Sequence, residues 1–229
     1  MVRFTKDKDV YINITVDGVL GSGKNKLIDI LYRFTKEENK DIKPTGDLTK
    51  ISMASGKTLY FDRGIFQSTK QKHVYFHFYT IPSQPRFSKL RAKMLSGIDG
   101  LIFVVDADPI CLNLSIESIK ELNNLLNGNL IKKIPFVVML NNKNLTAPIT
   151  SEQFLQILKK EGLWYDESHK ISIWNPKIYS INITYRNAQE IYNCFSECAR
   201  RIILYNVYGN GTAPTSEKVL NLKKSDFFI

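Results

Sequence analysis

Apolar and polar positions along the chain follow two periods, and their alternation predicts strands interleaved with helices. At residues 10–16, Val10, Ile12, Ile14 and Val16 recur at every second position and fall on one face of a strand. Residues 58–62 (TLYFD) and 73–80 (HVYFHFYT) are rich in β-branched and aromatic side chains, which favour a pleated surface. Residues 101–105 (LIFVV) and 135–140 (PFVVML) are unbroken apolar runs, the pattern of parallel strands buried on both faces. A sixth strand is expected at 179–183. Helical spacing fills the intervals at 24–33, 87–95, 114–126 and 151–160, and in a last helix from 187 to about 205. In the third of these, Leu114, Ile116, Ile119, Leu122 and Leu126 share a face. Thr150 with Gln153, and Asn187 with Glu190, have the spacing of capping boxes.

Such alternation implies an α/β fold with a mostly parallel sheet and right-handed crossovers. The second and third strands are joined only by residues 64–72, so the second should run antiparallel to the third. A chain of 229 residues suits one domain, assigned to 1–205, with a C-terminal tail at 206–229. The tail opens with Gly209-Asn-Gly-Thr-Ala-Pro214 and is expected to be loosely attached. Its Leu220, Leu222, Phe227, Phe228 and Ile229 would suit docking on the body or on another protein.

Composition changes this picture little. Hydrophobic residues make up 43% and charged ones 24%, ordinary for a globular protein. The chain has no apolar run of about 18 residues, so no membrane span is expected. The start, MVRFTKDKDVYINITV, reads as a charged segment leading into a strand rather than a signal peptide, and no lipidation motif is present. Cys111, Cys194 and Cys198 make a poor disulfide framework and suit a reducing cytoplasm. Cys194 and Cys198, one helical turn apart, read as a buried helix face. The net charge of +10 favours acidic partners, but it is scattered and carries no nucleic-acid motif, so no specific nucleic acid is expected. His73 and His77 lie about 13 Å apart by strand rise, too far to share a metal, and should line a sheet face with Tyr75 and Tyr79. Trp164, Tyr165 and Trp174 should cover the core edge or form a partner surface.

The chemistry begins in VDGVLGSGKNKLIDILY, residues 16–32, which carries G-x-x-x-x-G-K at Gly18, Gly23 and Lys24. It follows an apolar strand and opens a helix, the context that a phosphate-binding loop requires. Amides of Gly21, Ser22, Gly23 and Lys24 would face phosphate oxygens, and the Lys24 ammonium would neutralise them. The next residue is Asn25, where such loops have a magnesium-binding Ser or Thr. Its longer side chain and neutral carbonyl should weaken magnesium binding.

Three further segments carry a family resemblance: KTLYFD (57–62), VYFHFYTIPSQ (74–84) and GIDGLIFVVDAD (97–108). With the loop, they resemble the gliding-motility GTPases of the MglA type, which are Ras-like small GTPases of cell polarity and motility. The resemblance runs from about residue 11 to 145 and more weakly to 204. It implies a three-layer P-loop NTPase fold with a six-stranded, mostly parallel sheet and an antiparallel second strand. It also implies GTP/GDP and Mg2+ as ligands. Thr58 matches the first-switch threonine that senses magnesium and the γ-phosphate, and Gln84 the glutamine that orients the attacking water. Lys57 stands at the family's cis-acting arginine, keeping the charge without the planar fork. Thr80 matches a threonine common in this family.

The sequence departs from the family's pattern at the magnesium, γ-phosphate and base contacts. Ser83 replaces a switch glycine, and a Cβ would cost about 1–2 kcal/mol if the position needs a glycine-only backbone. The base motif N-K-x-D reads Asn141-Asn142-Lys143-Asn144 or, shifted by one, Asn142-Lys143-Asn144-Leu145. In either register the guanine-reading carboxylate is absent, and one amide cannot accept both guanine hydrogen bonds. Three readings follow. One is a nucleotide-dependent switch with weakened guanine selectivity and slow hydrolysis. Another is a pseudo-GTPase scaffold that binds a roadblock-type regulator or an intact relative, as a homo- or heterodimer partner. The third is a different P-loop activity with Asp106 as its magnesium acid, disfavoured by the absence of an arginine-rich lid.

Overall fold

The computed structural model describes residues 3–4, 8–51, 61–83 and 87–215. At its centre β2 (Val10–Asp17), β6 (Val74–Thr80), β7 (Gly100–Asp106), β8 (Phe136–Asn141) and β9 (Lys177–Ile181) run parallel. Strand β5 (Phe61–Ser68) pairs antiparallel with β6, and β3 (Ile42–Pro44) pairs antiparallel with β5. Among the described residues the order across the sheet is β3-β5-β6-β2-β7-β8-β9. The short β1 (Arg3–Phe4) and β4 (Thr49–Ile51) pair beside β2 and β5. The six expected strands are all present, and the path gains a seventh, β3, too short to show a period.

Period-2 alternation distributes the core to both faces of the sheet. Ile12, Ile14 and Val16 of β2, with Ile102, Val104, Val137 and Met139, meet α1 (Lys24–Glu37) and α5 (Ala188–Gly209). Leu101, Phe103, Val105, Phe136, Val138 and Leu140 face α2 (Ser88–Leu95), α3 (Leu112–Leu125) and α4 (Ser151–Lys160). The result is helix on sheet on helix. Phe195 of α5 lies against Phe66, Phe76 and Phe78 with ring centroids 5.4–6.5 Å apart across the cluster. Cys194 and Cys198 are buried in the same layer, as their helical spacing implies.

Several local expectations shift. The second strand was expected at 58–62, but β5 continues to Ser68, leaving only 69–73 as the hairpin link; residues 57–60 lie outside the described ones. Gly64 hid this continuation, because it occupies an inward position without an apolar side chain. The last strand lies two residues earlier than expected, so that Ile183 turns into the core beyond it. In α3 the buried side chains are Ser115, Ile119 and Leu122, while Leu114 is 57% exposed, about 100° round the helix from that face. Thr150 and Gln153 make both halves of a capping box. Asn187 does not cap α5, because its amide donates to the Asn182 carbonyl at 2.7 Å.

The chain beyond residue 205 also departs from expectation. Helix α5 continues to Gly209, and Ala213 then donates to the Lys132 carbonyl at 2.7 Å. Trp174 is buried against Tyr205 and donates its indole N–H to the Pro214 carbonyl at 2.7 Å. The stretch expected to be loose is therefore docked up to Pro214, whereas Leu220, Leu222, Phe227, Phe228 and Ile229 lie outside the described residues. Tyr11 stacks on Tyr75 and packs against His77 on a half-exposed sheet face, whereas His73 lies before β6, exposed, and pairs with Asp9 at 2.9 Å.

An ion cluster pins the turn before β9 to α5. Buried Glu197 accepts hydrogen bonds from Arg200 and Arg201, and Arg201 donates to the carbonyls of Trp174 and Asn175. Burial alone would raise the Glu197 carboxyl, but Arg200 and Arg201 hold it down to about 2, from 4.5. A depressed carboxylate contributes stability above its unfolded value and loses it as pH falls through the folded one. Glu197→Gln should therefore cost about 3 kcal/mol near neutrality in chemical denaturation. Variant and wild type should converge between pH 4.5 and about 2; a pH-independent difference would contradict this origin of the stability.

Candidate functional site

The candidate site is built at the C-terminal edge of the parallel strands, where loops after β2, β6, β7, β8 and β9 meet. The loop after β2 depends on glycine at two places. Gly18 has φ +143°, and a Cβ there would sit 2.1 Å from the Val104 carbonyl oxygen. Gly23 has φ +106°, and a Cβ would meet the Asn141 amide at 2.8 Å. Neither position tolerates a side chain, so the loop lies close against β7 and β8. Gly23 leads directly into α1, whose first-turn amides have no partner within the helix.

Lys24 folds back over this loop. It is buried and donates to the carbonyls of Gly18 at 2.6 Å and Val19 at 2.8 Å. Burial lowers its ammonium to about 8, with Asp17 raising it and Arg91 lowering it. Ser22 is fully buried, and its hydroxyl has no partner among the described residues. Glycines, helix amides, a poised cation and an unsatisfied hydroxyl converge here, so these residues fit a phosphate chain.

Asn141 joins this loop to its neighbours. From the end of β8 its amide donates to the Ser22 carbonyl at 2.9 Å, and its oxygen accepts the Ile183 amide at 3.1 Å. Asn141 thus bridges the loop after β2 to the chain beyond β9. Asn142 accepts from the Ser180 hydroxyl at 3.2 Å, and Asn144 accepts from the Asn182 side chain at 2.6 Å. Lys143 turns the other way and pairs with buried Asp106. Lys143 and Asn144 both have left-handed backbones, with φ +47° and +59°. Asp106, at the end of β7, therefore anchors this loop.

The remaining site residues divide by position. Asn25 is exposed as the second residue of α1. Ser83 lies three residues beyond β6 and does not adopt a positive φ, so the expected Cβ strain is absent from this conformation. Gly21 is exposed at the loop tip. Lys57, Thr58 and Gln84 lie outside the described residues. For magnesium the fit is incomplete, because Asn25 alone of the two expected ligands is described. Sequence reasoning missed the buried pair of Asp17 and Arg91, joined at 2.8 Å beneath the loop. The available signal was an acidic residue closing a strand of apolar alternation.

Sheet order, loop and clamp together define a P-loop domain of the Ras-like kind. The sequence profile of the ADP-ribosylation factor family matches residues 2–191, and the chain belongs to that family of small GTPases. Members of the family bind GTP and GDP with magnesium. The chain is 29% identical over 148 residues to the mutual gliding-motility protein MglA of Myxococcus xanthus (strain DK1622), covering 62% of this chain and 72% of MglA. The MglA-type resemblance of its motifs therefore extends to this relative. The Arl6 BBS3 small GTPase from Trypanosoma brucei, solved with the nucleotide analogue GppNp, shares the fold with a TM-score of 0.55 and 16% identity. That alignment covers 84% of this chain and 98% of the other. No helix among the described residues is long and apolar enough to cross a membrane.

The lowered Lys24 ammonium gives a pH signature. The cationic form is the one that pairs with phosphate, so above about 8 the free protein must take up a proton to bind. Affinity for a nucleoside diphosphate should fall about tenfold from pH 7 to 9, with proton uptake detected by calorimetry in buffers of different ionisation enthalpy. A flat profile without proton uptake would contradict the assignment.

Proposed function

We propose that this chain is a small GTP-binding protein of the MglA type that holds a guanine or related nucleotide chiefly by its phosphates. It acts as a nucleotide-dependent switch with weakened base selectivity, a weakened magnesium site and slow hydrolysis. The observation that carries this reading is the assembled clamp of Lys24 over Gly18 and Val19. In this reading Gln84 orients the attacking water, Lys57 supplies positive charge to the γ-phosphate, and Thr58 and Asn25 face magnesium. Similarity to the gliding-motility protein MglA supports a role in cell polarity or motility. The three free cysteines suit action in the cytoplasm.

A second reading is supported by the base loop. The Asn144 oxygen, the acceptor nearest in kind to the missing carboxylate, is already engaged by Asn182. A scaffold that no longer hydrolyses nucleotide, and instead binds a roadblock-type regulator or an intact GTPase relative, would tolerate that loss.

The two readings separate on purified protein. Denaturing it and chromatographing the supernatant should release GDP or GTP, which would exclude the pure scaffold. Protein that is empty as isolated and binds no guanine, xanthine or adenine nucleotide would exclude the switch. Asn144→Asp should restore a charge-assisted acceptor and tighten GDP binding by about 10- to 150-fold. Unchanged affinity would place base recognition elsewhere.

A further inference from the structure

Beneath the phosphate loop lies a buried acid that phosphate binding alone does not account for. Asp17 is the last residue of β2, fully buried, and adjoins Gly18. One carboxylate oxygen accepts the Gly18 amide at 2.7 Å, and the other accepts Arg91 at 2.8 Å. Arg91 rises from α2, is itself buried, and also donates to Glu121 at 2.6 Å and more distantly to Ser118 of α3. Its Nε has no partner among the described residues.

Two consequences follow from this geometry. An anionic carboxylate one peptide away from a phosphate cradle opposes phosphate binding unless it is neutralised, because the repulsion is poorly screened in a buried site. Arg91 is the cation hydrogen-bonded to it, and the Lys24 ammonium adds a second, more distant positive charge. Helix α2 also has a narrow apolar contact: Arg91 and Leu95 are its buried residues, with Leu90 and Met94 partly so. The ion pair is thus a main tie between α2 and the loop.

We propose that Arg91 is a positioning residue of the nucleotide site, neutralising Asp17 under the phosphate loop and coupling the seat of α2 to nucleotide retention. Drawing α2 off the sheet strips Asp17 of its counter-charge, and the bare carboxylate then favours phosphate release. This inference rests on the nucleotide-binding reading, whereas the tie between α2 and Asp17 does not.

The test compares the full-length wild type with Arg91→Gln, Asp17→Asn and the double variant, using release of a fluorescent GDP analogue and amide exchange over α2. Arg91→Gln should speed release about tenfold or more, because it leaves Asp17 charged and unpaired. Asp17→Asn keeps an oxygen for the Gly18 amide without the buried negative charge, so release should quicken less than in Arg91→Gln. Adding Asp17→Asn to Arg91→Gln should restore slow release. Both single variants should raise amide exchange in α2 of the nucleotide-free protein. A double variant that releases as fast as Arg91→Gln overturns the counter-charge role. Unchanged exchange in both single variants overturns the tie, even if Arg91→Gln folds poorly. Wild type that binds no GDP analogue, while the single variants still raise exchange over α2, would instead sink the nucleotide-binding reading.

Discussion

The functional edge of this protein depends on one buried amide. Asn141, 5% exposed, donates to the loop after β2 and accepts from the backbone beyond β9, so three separate chain segments share one side chain. Gly23 is shaped by the same group, since any Cβ there would strike the Asn141 amide. Without that bridge the glycine loop would have no fixed distance from the base-side loop. An unsatisfied carbonyl at Ser22 and an unsatisfied amide at Ile183 would each cost about 1–3 kcal/mol where they are buried. Helix α1, and the Lys24 clamp on its first turn, rest on this foundation.

Around that bridge the charges form a short alternating series. Asp17 lies below the loop, Lys24 lies over it, and Arg91 closes the series from α2. A second pair, Lys143 with Asp106, performs a similar anchoring task on the loop after β8. Lys143 is thereby tied to β7, while its neighbours Asn142 and Asn144 pair with Ser180 and Asn182. The loop after β2 therefore keeps charged groups, while the loop after β8 carries neutral amides paired with Ser180 and Asn182. This asymmetry underlies the proposal of a phosphate-led, weakly base-selective ligand.

Much of this was legible in the sequence, for physical reasons that differ by residue. Residues 101–105 and 135–140 could be assigned because strands buried on both faces tolerate only apolar side chains. The phosphate loop could be assigned because its glycines and lysine sit between a strand and a helix. The Thr150 cap was visible because its chemistry is local, whereas Asn187 had the same spacing and found a stronger partner in the Asn182 carbonyl. Long-range polar pairs carry no local period. Asp17 and Arg91 are 74 positions apart, and Asn141 and Ser22 are 119 apart, so only the folded sheet brings them together. Gly64 masked the continuation of β5 because an inward glycine shows no hydropathy.

The central claim is that the site holds its ligand by the phosphates, through a clamp assembled before binding. Calorimetric comparison of GMP with GDP, each with and without magnesium, tests it most directly. GDP should bind about 100-fold more tightly than GMP, because the β-phosphate alone would gain the charge-assisted bonds of Lys24 and the loop amides. Magnesium should change the GDP affinity by less than that factor. Equal affinity for GMP and GDP, or binding that disappears without magnesium, would contradict the account.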